Sequence, residues 1–268
     1  MCRLLGIVAS EPTEFRIVLN DAPRSMAQLS KDHRDGWGLA VFGAADGSGW
    51  SLHKGVACAR EDQRFRELAV GSRGEVLVAH IRQRTVGETS LDNTHPFYAG
   101  RWVFAHNGTI KDTAFLRSSI SDGRRAQIRG QTDSELFFAY LLTRLDEALV
   151  TDVPASAQTD ACIRSATRVA RARADFGAFN FLLSDGATLY AHRCGRTMCL
   201  LERSPEDEVR PSRRSRDGTV VETPWSQRRH AIFIASEHLT NEPWQTIEEG
   251  MLLRLDRLPV PHWRLLVA

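Results

Sequence analysis

Apolar residues in this chain fall mostly in short runs separated by turn-forming residues. Residues 3–9 (RLLGIVA) form one such run and predict a buried strand that starts almost at residue 1. From Phe15 to Ser30 the spacing is helical, with an interruption at Pro23. HRDGWG (33–38) predicts a loop running into the strand LAVFG, and GWSLHKG predicts a second strand after the DGSG turn at 46–49. The segment 37–54 therefore predicts a β-hairpin. Glu61 to Leu68 predicts a short helix, while EVLVAHIR (75–82) and RWVFAHNG (101–108) predict strands, the second ending at Asn-Gly.

Residues 117–130 (RSSISDGRRAQIRG) are polar, basic and aperiodic, which predicts a loop. Thr132 and Glu135 then have capping-box spacing, and Leu136, Phe137, Tyr140, Leu141, Leu145 and Leu149 follow at helical intervals. A second helix is predicted over 156–174, with Cys162, Ala166, Val169, Ala170 and Arg173 on or near one stripe. Residues 179–193 predict a hairpin around Asp185-Gly186, and 204–229, rich in Pro, Ser and Arg, a surface excursion. HAIFIAS, GMLLRLD and HWRLLVA predict the last three strands. Strands, then two consecutive helices, then strands again predict an α+β fold with largely antiparallel sheets. No internal repeat or linker divides the chain, so 1–268 is expected to be a single domain.

Hydrophobic residues make up 42% of the 268 and charged residues 25%, which excludes disorder, a collagen-like fibre and a disulfide-rich miniprotein. The net charge of +2 offers no electrostatic reason for a nucleic-acid or membrane partner. Five cysteines, an odd number, suit a reducing compartment and leave at least one free thiol to explain. The run Leu4–Ala9 is too short for the apolar core of a signal peptide, and Leu136–Leu142 falls far below the roughly 18 residues of a membrane span. The expectation is a soluble, cytoplasmic protein.

Cys2 is the first residue with chemical interest. If Met1 is removed, Cys2 carries a thiol and a free α-amine on one framework. Such an amine, with an ordinary pKa of about 7.7–8.0, can act as a base near neutral pH. Alone, Cys2 also reads as a small residue at a mobile end; the strand beginning at once after it argues for a tethered one. Cys58 and Cys162 carry no partner signal, and Cys194 and Cys199 have no second pair to complete a zinc site. His80, His95 and His106 match no metal-binding spacing and read as structural histidines, so no metal or cofactor is expected. Asn107-Gly108-Thr109 fits the glycosylation sequon, which has no use in a cytoplasmic chain.

Arg82 and Thr85 lie just past one strand, Asn107 and Gly108 just past another, and Asp133 at the first turn of a capped helix. Each alone is an ordinary surface charge, turn or cap. Together they suit a substrate built like an amino acid with an acyl side chain. Arginine grips a carboxylate bidentately, an ionised aspartate holds an ammonium, and a side-chain amide with a backbone N–H forms an oxyanion hole.

This order of motifs resembles the class II glutamine amidotransferases, a branch of the N-terminal nucleophile hydrolases. The resemblance runs through MCRLLGIVA, HRDGWGLAVF, HIRQRTVGETSLDNTHPF, WVFAHNGTI, GQTDSELFFAYLL and ASEHLTNEPWQTIEEGMLLRL, nearly the whole chain. It implies a four-layer αββα sandwich with two stacked antiparallel sheets. By position, it implies Cys2 as nucleophile with its own α-amine as base, and Asn107 and Gly108 as the oxyanion hole. Arg82 with Thr85 then takes the substrate carboxylate and Asp133 the α-ammonium, while His106 and Gly87 keep structural places. Gln83 and Val86 depart from the aromatic residue and histidine often found there in the large synthases. The chain has no phosphate loop and no dinucleotide fingerprint. The expected reaction is hydrolysis of glutamine or a γ-glutamyl amide, in the manner of stand-alone relatives such as the ergothioneine-pathway γ-glutamyl hydrolase. Two alternatives stand beside it: a glutaminase subunit handing ammonia to a partner synthase, and a non-catalytic sensor of γ-glutamyl compounds. The far side of the pocket is expected from loops 31–38, 83–96 and 117–130, the last as a substrate lid.

Overall fold

The computed structural model describes residues 2–43, 49–205 and 229–266. Most of the turn expected at 46–49 and of the excursion expected at 204–229 lies outside them. Along the chain come β1 (Arg3–Glu14), a π-helical turn (Ile17–Asp21), α1 (Met26–Leu29), β2 (Trp37–Phe42), β3 (Trp50–Gly55), α2 (Gln63–Gly71) and β4 (Arg73–Ile81). Next are β5 (Phe97–Ala99), β6 (Trp102–Ile110), α3 (Thr113–Ser119), α4 (Asp122–Arg125), α5 (Asp133–Glu147) and α6 (Ala157–Arg171). The chain continues through β7 (Gly177–Ser184), β8 (Thr188–His192), β9 (Cys199–Arg203), β10 (Ala231–Ala235), β11 (Gln245–Thr246), β12 (Leu252–Asp256) and β13 (His262–Leu265).

Two antiparallel sheets result, one ordered β11-β9-β10-β1-β4-β2-β3 and the other β13-β12-β8-β7-β6-β5. Side chains alternate between faces of a strand, and that alternation builds the layers. On β1, Leu5, Ile7 and Ala9 point outward and are covered by α1, α2 and the π-helical turn, through Met26, Phe65 and Val18. Leu4 and Val8 point inward and meet Val103, Ala105, Leu182 and Leu189 of the second sheet. The outer face of that sheet, with Trp102, Phe104 and Phe181, is covered by α3, α5 and α6, through Leu116, Phe137 and Ile163. The fold is the expected α+β sandwich, layered αββα. A slip of one residue on β1 would exchange its two faces, so burial on both sides sets the register. No helix among the described residues is long and apolar enough to cross a membrane.

Four expectations need correction. Asn107 and Gly108 do not follow a strand but lie within β6, which continues to Ile110 because β7 pairs with it throughout, Asn107 opposite Asn180 and Gly108 opposite Phe179. Gly108 serves close approach there: a Cβ would lie 2.5 Å from the Ala178 carbonyl carbon and 2.9 Å from His106 Nε2. Residues 117–130 are not a continuous loop. They hold the end of α3 and all of α4, capped by Asp112 and Ser121, and Arg124 forms a two-pronged ion pair with Asp146 at 2.6 and 2.7 Å. Their polar residues serve caps and ion pairs, which periodicity alone does not register. On α6 the buried stripe is Ile163, Ala166 and Ala170, while Val169 is exposed and Cys162 half-buried. Leu149, the last of the expected α5 stripe, lies past the helix end at φ 57° and is exposed.

Candidate active site

One end of the space between the sheets gathers the chemistry-bearing residues. Cys2 sits two positions before the inward-facing Leu4, and Arg82 two after His80, whose neighbours Val76 and Val78 also face inward. Antiparallel pairing puts Arg3 opposite Ile81, which brings Cys2 to the turn after β4. There the Cys2 thiol donates to the Gln83 carbonyl at 3.2 Å, and the Gln83 N–H donates to the sulfur at 3.3 Å. Ser236 follows β10 beside the start of β1, its hydroxyl accepting from the Leu4 N–H at 2.9 Å. From the opposite sheet comes Asn107, on the inward face with Val103 and Ala105, and its Nδ2 donates to Ser236 Oγ at 3.4 Å.

Arg82 is buried, with Nη2 donating to the Val86 carbonyl at 3.1 Å, while Nη1 is buried with no hydrogen-bond partner among the described residues. A buried guanidinium nitrogen without an acceptor is costly, and a bound carboxylate would satisfy it. Asp133 opens α5, where the Thr132 hydroxyl caps the Glu135 N–H at 3.2 Å. Only that half of the capping box forms: the Glu135 carboxylate accepts instead from Arg129 and Gly130 N–H groups at 2.9 and 2.7 Å. The first turn is stitched to β6. Asp133 Oδ2 accepts from the Ile110 N–H at 2.6 Å, and Ser134 Oγ lies 2.7 Å from His106 Nδ1. Thr85 is exposed and makes no hydrogen bond among the described residues. The structure thus brings Cys2, Arg82 and Asn107 to one cleft end, fixes Gly108 and Asp133 along β6, and leaves Thr85 on the surface.

Burial pushes the Cys2 thiol above its ordinary pKa, while the Gln83 N–H and the nearby positive charge of Arg82 act in the opposite direction. The sulfur is therefore a thiol at neutral pH and needs a base to become a nucleophile. His33, with Nδ1 3.2 Å from Gln83 Oε1, is pushed down to about 4 by burial and by Arg3, and is uncharged. Burial pushes His80, His95 and His106 down as well. His80, pushed down to about 3 by burial, lies with Nε2 2.9 Å from His95 Nδ1, and His106 Nε2 faces the Ala178 carbonyl at 3.2 Å. Among the described residues no group of three or more His, Cys, Asp or Glu is placed to hold a metal ion. All five cysteines are free. Cys58 is buried and donates to Ser30, Cys199 is buried in β9, and burial pushes Cys162 and Cys194 up to about 11. A sulfur, an amide donor and a buried cation at one cleft end form an arrangement suited to acyl transfer from a substrate that carries a carboxylate.

Two contributors escaped the residue-level reading. Gln83 holds the thiol through its backbone, which no side-chain signature reveals. Ser236 meets Asn107 from a position 129 residues away, and its only signal is its place in ASEHL after an apolar run.

A family model described as glutamine amidotransferases class-II matches residues 1–258. The Escherichia coli protein YafJ is 29% identical over 272 residues, covering 93% of this chain and 95% of its own. A γ-glutamyl-hercynylcysteine sulfoxide hydrolase of Mycobacterium tuberculosis is 27% identical over 214 residues, covering 76% of this chain and 81% of its own. Among solved structures, a predicted glutamine amidotransferase from Pseudomonas aeruginosa superposes with a TM-score of 0.64 at 26% identity, covering 99% and 100% of the two chains. The allosteric regulatory enzyme of purine biosynthesis shares the fold, with a TM-score of 0.65 at 17% identity, across 99% of this chain and 49% of its own.

Proposed function

The chain belongs to the class II glutamine amidotransferases, and from that premise we propose that it hydrolyses glutamine or a γ-glutamyl amide through a γ-glutamyl thioester on Cys2. It is an enzyme of amide C–N bonds. The observation that carries the reading is the meeting of Cys2, Asn107 and the unsatisfied Arg82 at one end of the inter-sheet space.

The substrate carboxylate pairs with Arg82, and Asp133 holds the α-ammonium. With Met1 removed, the Cys2 α-amine takes the thiol proton and the sulfur attacks the γ-carbonyl carbon. Asn107 Nδ2 and the Gly108 N–H stabilise the oxyanion, and the C–N bond breaks as the amine leaves with that proton. Water then attacks the thioester, releases glutamate and restores the thiol. The Thr85 hydroxyl, exposed in the free protein, supports the carboxylate end only when the 84–88 segment closes on substrate. Residues 1–268 act as one amidotransferase domain in this reading, supported by the match over 1–258 and by the continuous inter-sheet core. Release of the amine to water, without a partner synthase, is favoured by the mycobacterial hydrolase, which this chain matches over 81% of its length.

The test is threefold on purified protein. Intact mass should show loss of Met1, a diazo-ketone analogue of glutamine should label Cys2 alone, and glutamate should be released from glutamine or a bulkier γ-glutamyl amide. Labelling at another cysteine, or no glutamate from any γ-glutamyl amide, overturns the proposal. Release that begins only when a second protein is added moves the reading to the ammonia-delivering subunit.

A further inference from the structure

We infer that Ser236 is a positioning residue that aims the Asn107 amide at the reacting carbonyl; this rests on the placing of Asn107 in the oxyanion hole. Ser236 is buried where the two sheets meet at the cleft end. Its backbone N–H donates to the Leu4 carbonyl at 3.1 Å and its hydroxyl accepts from the Leu4 N–H at 2.9 Å, so it grips the strand that carries Cys2 on both sides of one residue. The next residue adds to the grip, since the Glu237 carboxylate pairs with Arg3 and Arg24.

The same hydroxyl oxygen accepts from Asn107 Nδ2 at 3.4 Å, across the gap between the sheets. A hydroxyl oxygen has two lone pairs, and the Leu4 N–H and the Asn107 amide occupy both. An asparagine NH2 has two hydrogens. With one given to Ser236, rotation about the last side-chain bond is fixed and the second points in a defined direction. Without Ser236 the amide is free to turn, and an oxyanion donor that must find its orientation during the reaction loses part of its worth. The nucleophile strand and the oxyanion donor belong to different sheets, so their relative placement needs a link, and this oxygen is bonded to both.

The test compares glutamate release by wild type, Ser236→Ala, Asn107→Ala and the double variant. Ser236→Ala should lower kcat about tenfold, the value of roughly one hydrogen bond, and leave KM within about twofold. In the Asn107→Ala background the same change should cost nothing further, because the group it orients is gone. Ser236→Thr and Ser236→Val, matched in shape and differing in the hydroxyl, keep the test sound if the alanine variant folds poorly: the threonine form should retain several times the kcat of the valine form. Equal kcat in that pair, or a full additional loss in the Asn107→Ala background, overturns the assignment. Wild-type protein silent on every γ-glutamyl amide would instead refute the proposed function, which separates the two failures.

Discussion

Gly108→Ala is the sharpest test of how β6 presents the oxyanion donors. The new methyl would lie 2.5 Å from the Ala178 carbonyl carbon and 2.9 Å from His106 Nε2. Both are far inside ordinary contact, and the first is backbone of the paired strand β7, which cannot swing aside as a flexible side chain would. β6 and β7 must part locally. Overpacking of this kind costs about 1–3 kcal/mol. One or two weakened ladder bonds add about 1 kcal/mol each. At about 2–4 °C per kcal/mol for a chain of this size, the melting temperature should fall by about 5–15 °C. Activity should suffer more. Displacement of Asn107 and the Gly108 N–H by about 1 Å should lower kcat on the order of a hundredfold. Thermal unfolding followed by circular dichroism, with glutamate release below the lowered melting point, measures both. Gly123→Ala in α4 is the control: a Cβ there meets nothing within 4 Å, and the variant should melt about 1–4 °C above wild type. A Gly108→Ala protein that melts with wild type and turns over normally would refute the argument that glycine stands there for strand approach.

The remaining predictions divide binding, chemistry and stability. Arg82→Ala should raise KM for the γ-glutamyl substrate by about 10–100-fold, the worth of a charged hydrogen-bonded pair. Asn107→Ala should lower kcat by about 100–1000-fold. A kcat effect for Arg82 alone, or an Asn107→Ala enzyme with normal kcat where chemistry limits turnover, would exchange or remove their roles. His192, on the outer face of β8 against Phe179 and Phe181, is pushed down to about 4 by burial and lies with Nδ1 3.0 Å from the Met251 carbonyl. Its folded pKa lies below the unfolded value of about 6.5, so unfolding takes up a proton between those values. Its contribution is whole above pH 6.5 and is lost as pH falls toward 4, by about 3 kcal/mol. His192→Gln should flatten the fall of the urea midpoint between pH 6.5 and 4; an unchanged slope would show that this histidine does not titrate on unfolding.

The strands and the two long helices were legible because their signals are local. The apolar runs at 3–9 and 75–82 and the capping threonine at 132 each act within one turn or one strand. What the chain hides is where two segments use the same residues differently. Asn107-Gly108 carries the signature of a turn, yet β7 extends the ladder through it, and pairing with a segment some 70 residues later is invisible to a local window. The polar run 117–130 reads as unstructured, yet Arg124 answers Asp146 across to α5 and Glu135 closes the 129–130 turn. Those ties bear on the expected lid. Replacing 119–128 by a flexible linker would remove the Arg124–Asp146 pair, so a test of the lid must read stability beside access. The site shows the same division. Cys2, Arg82 and Asn107 were legible as chemistry, but their meeting depends on the inward parity of β1, β4 and β6 and on two sheets ending together. Once Arg3 is opposite Ile81, parity places Cys2 and Arg82 on one face, and nothing in either residue's neighbourhood could say so. A donor from the other sheet then needs a fixed link to that face, and Ser236, bonded to Leu4 and to Asn107, has the geometry of one.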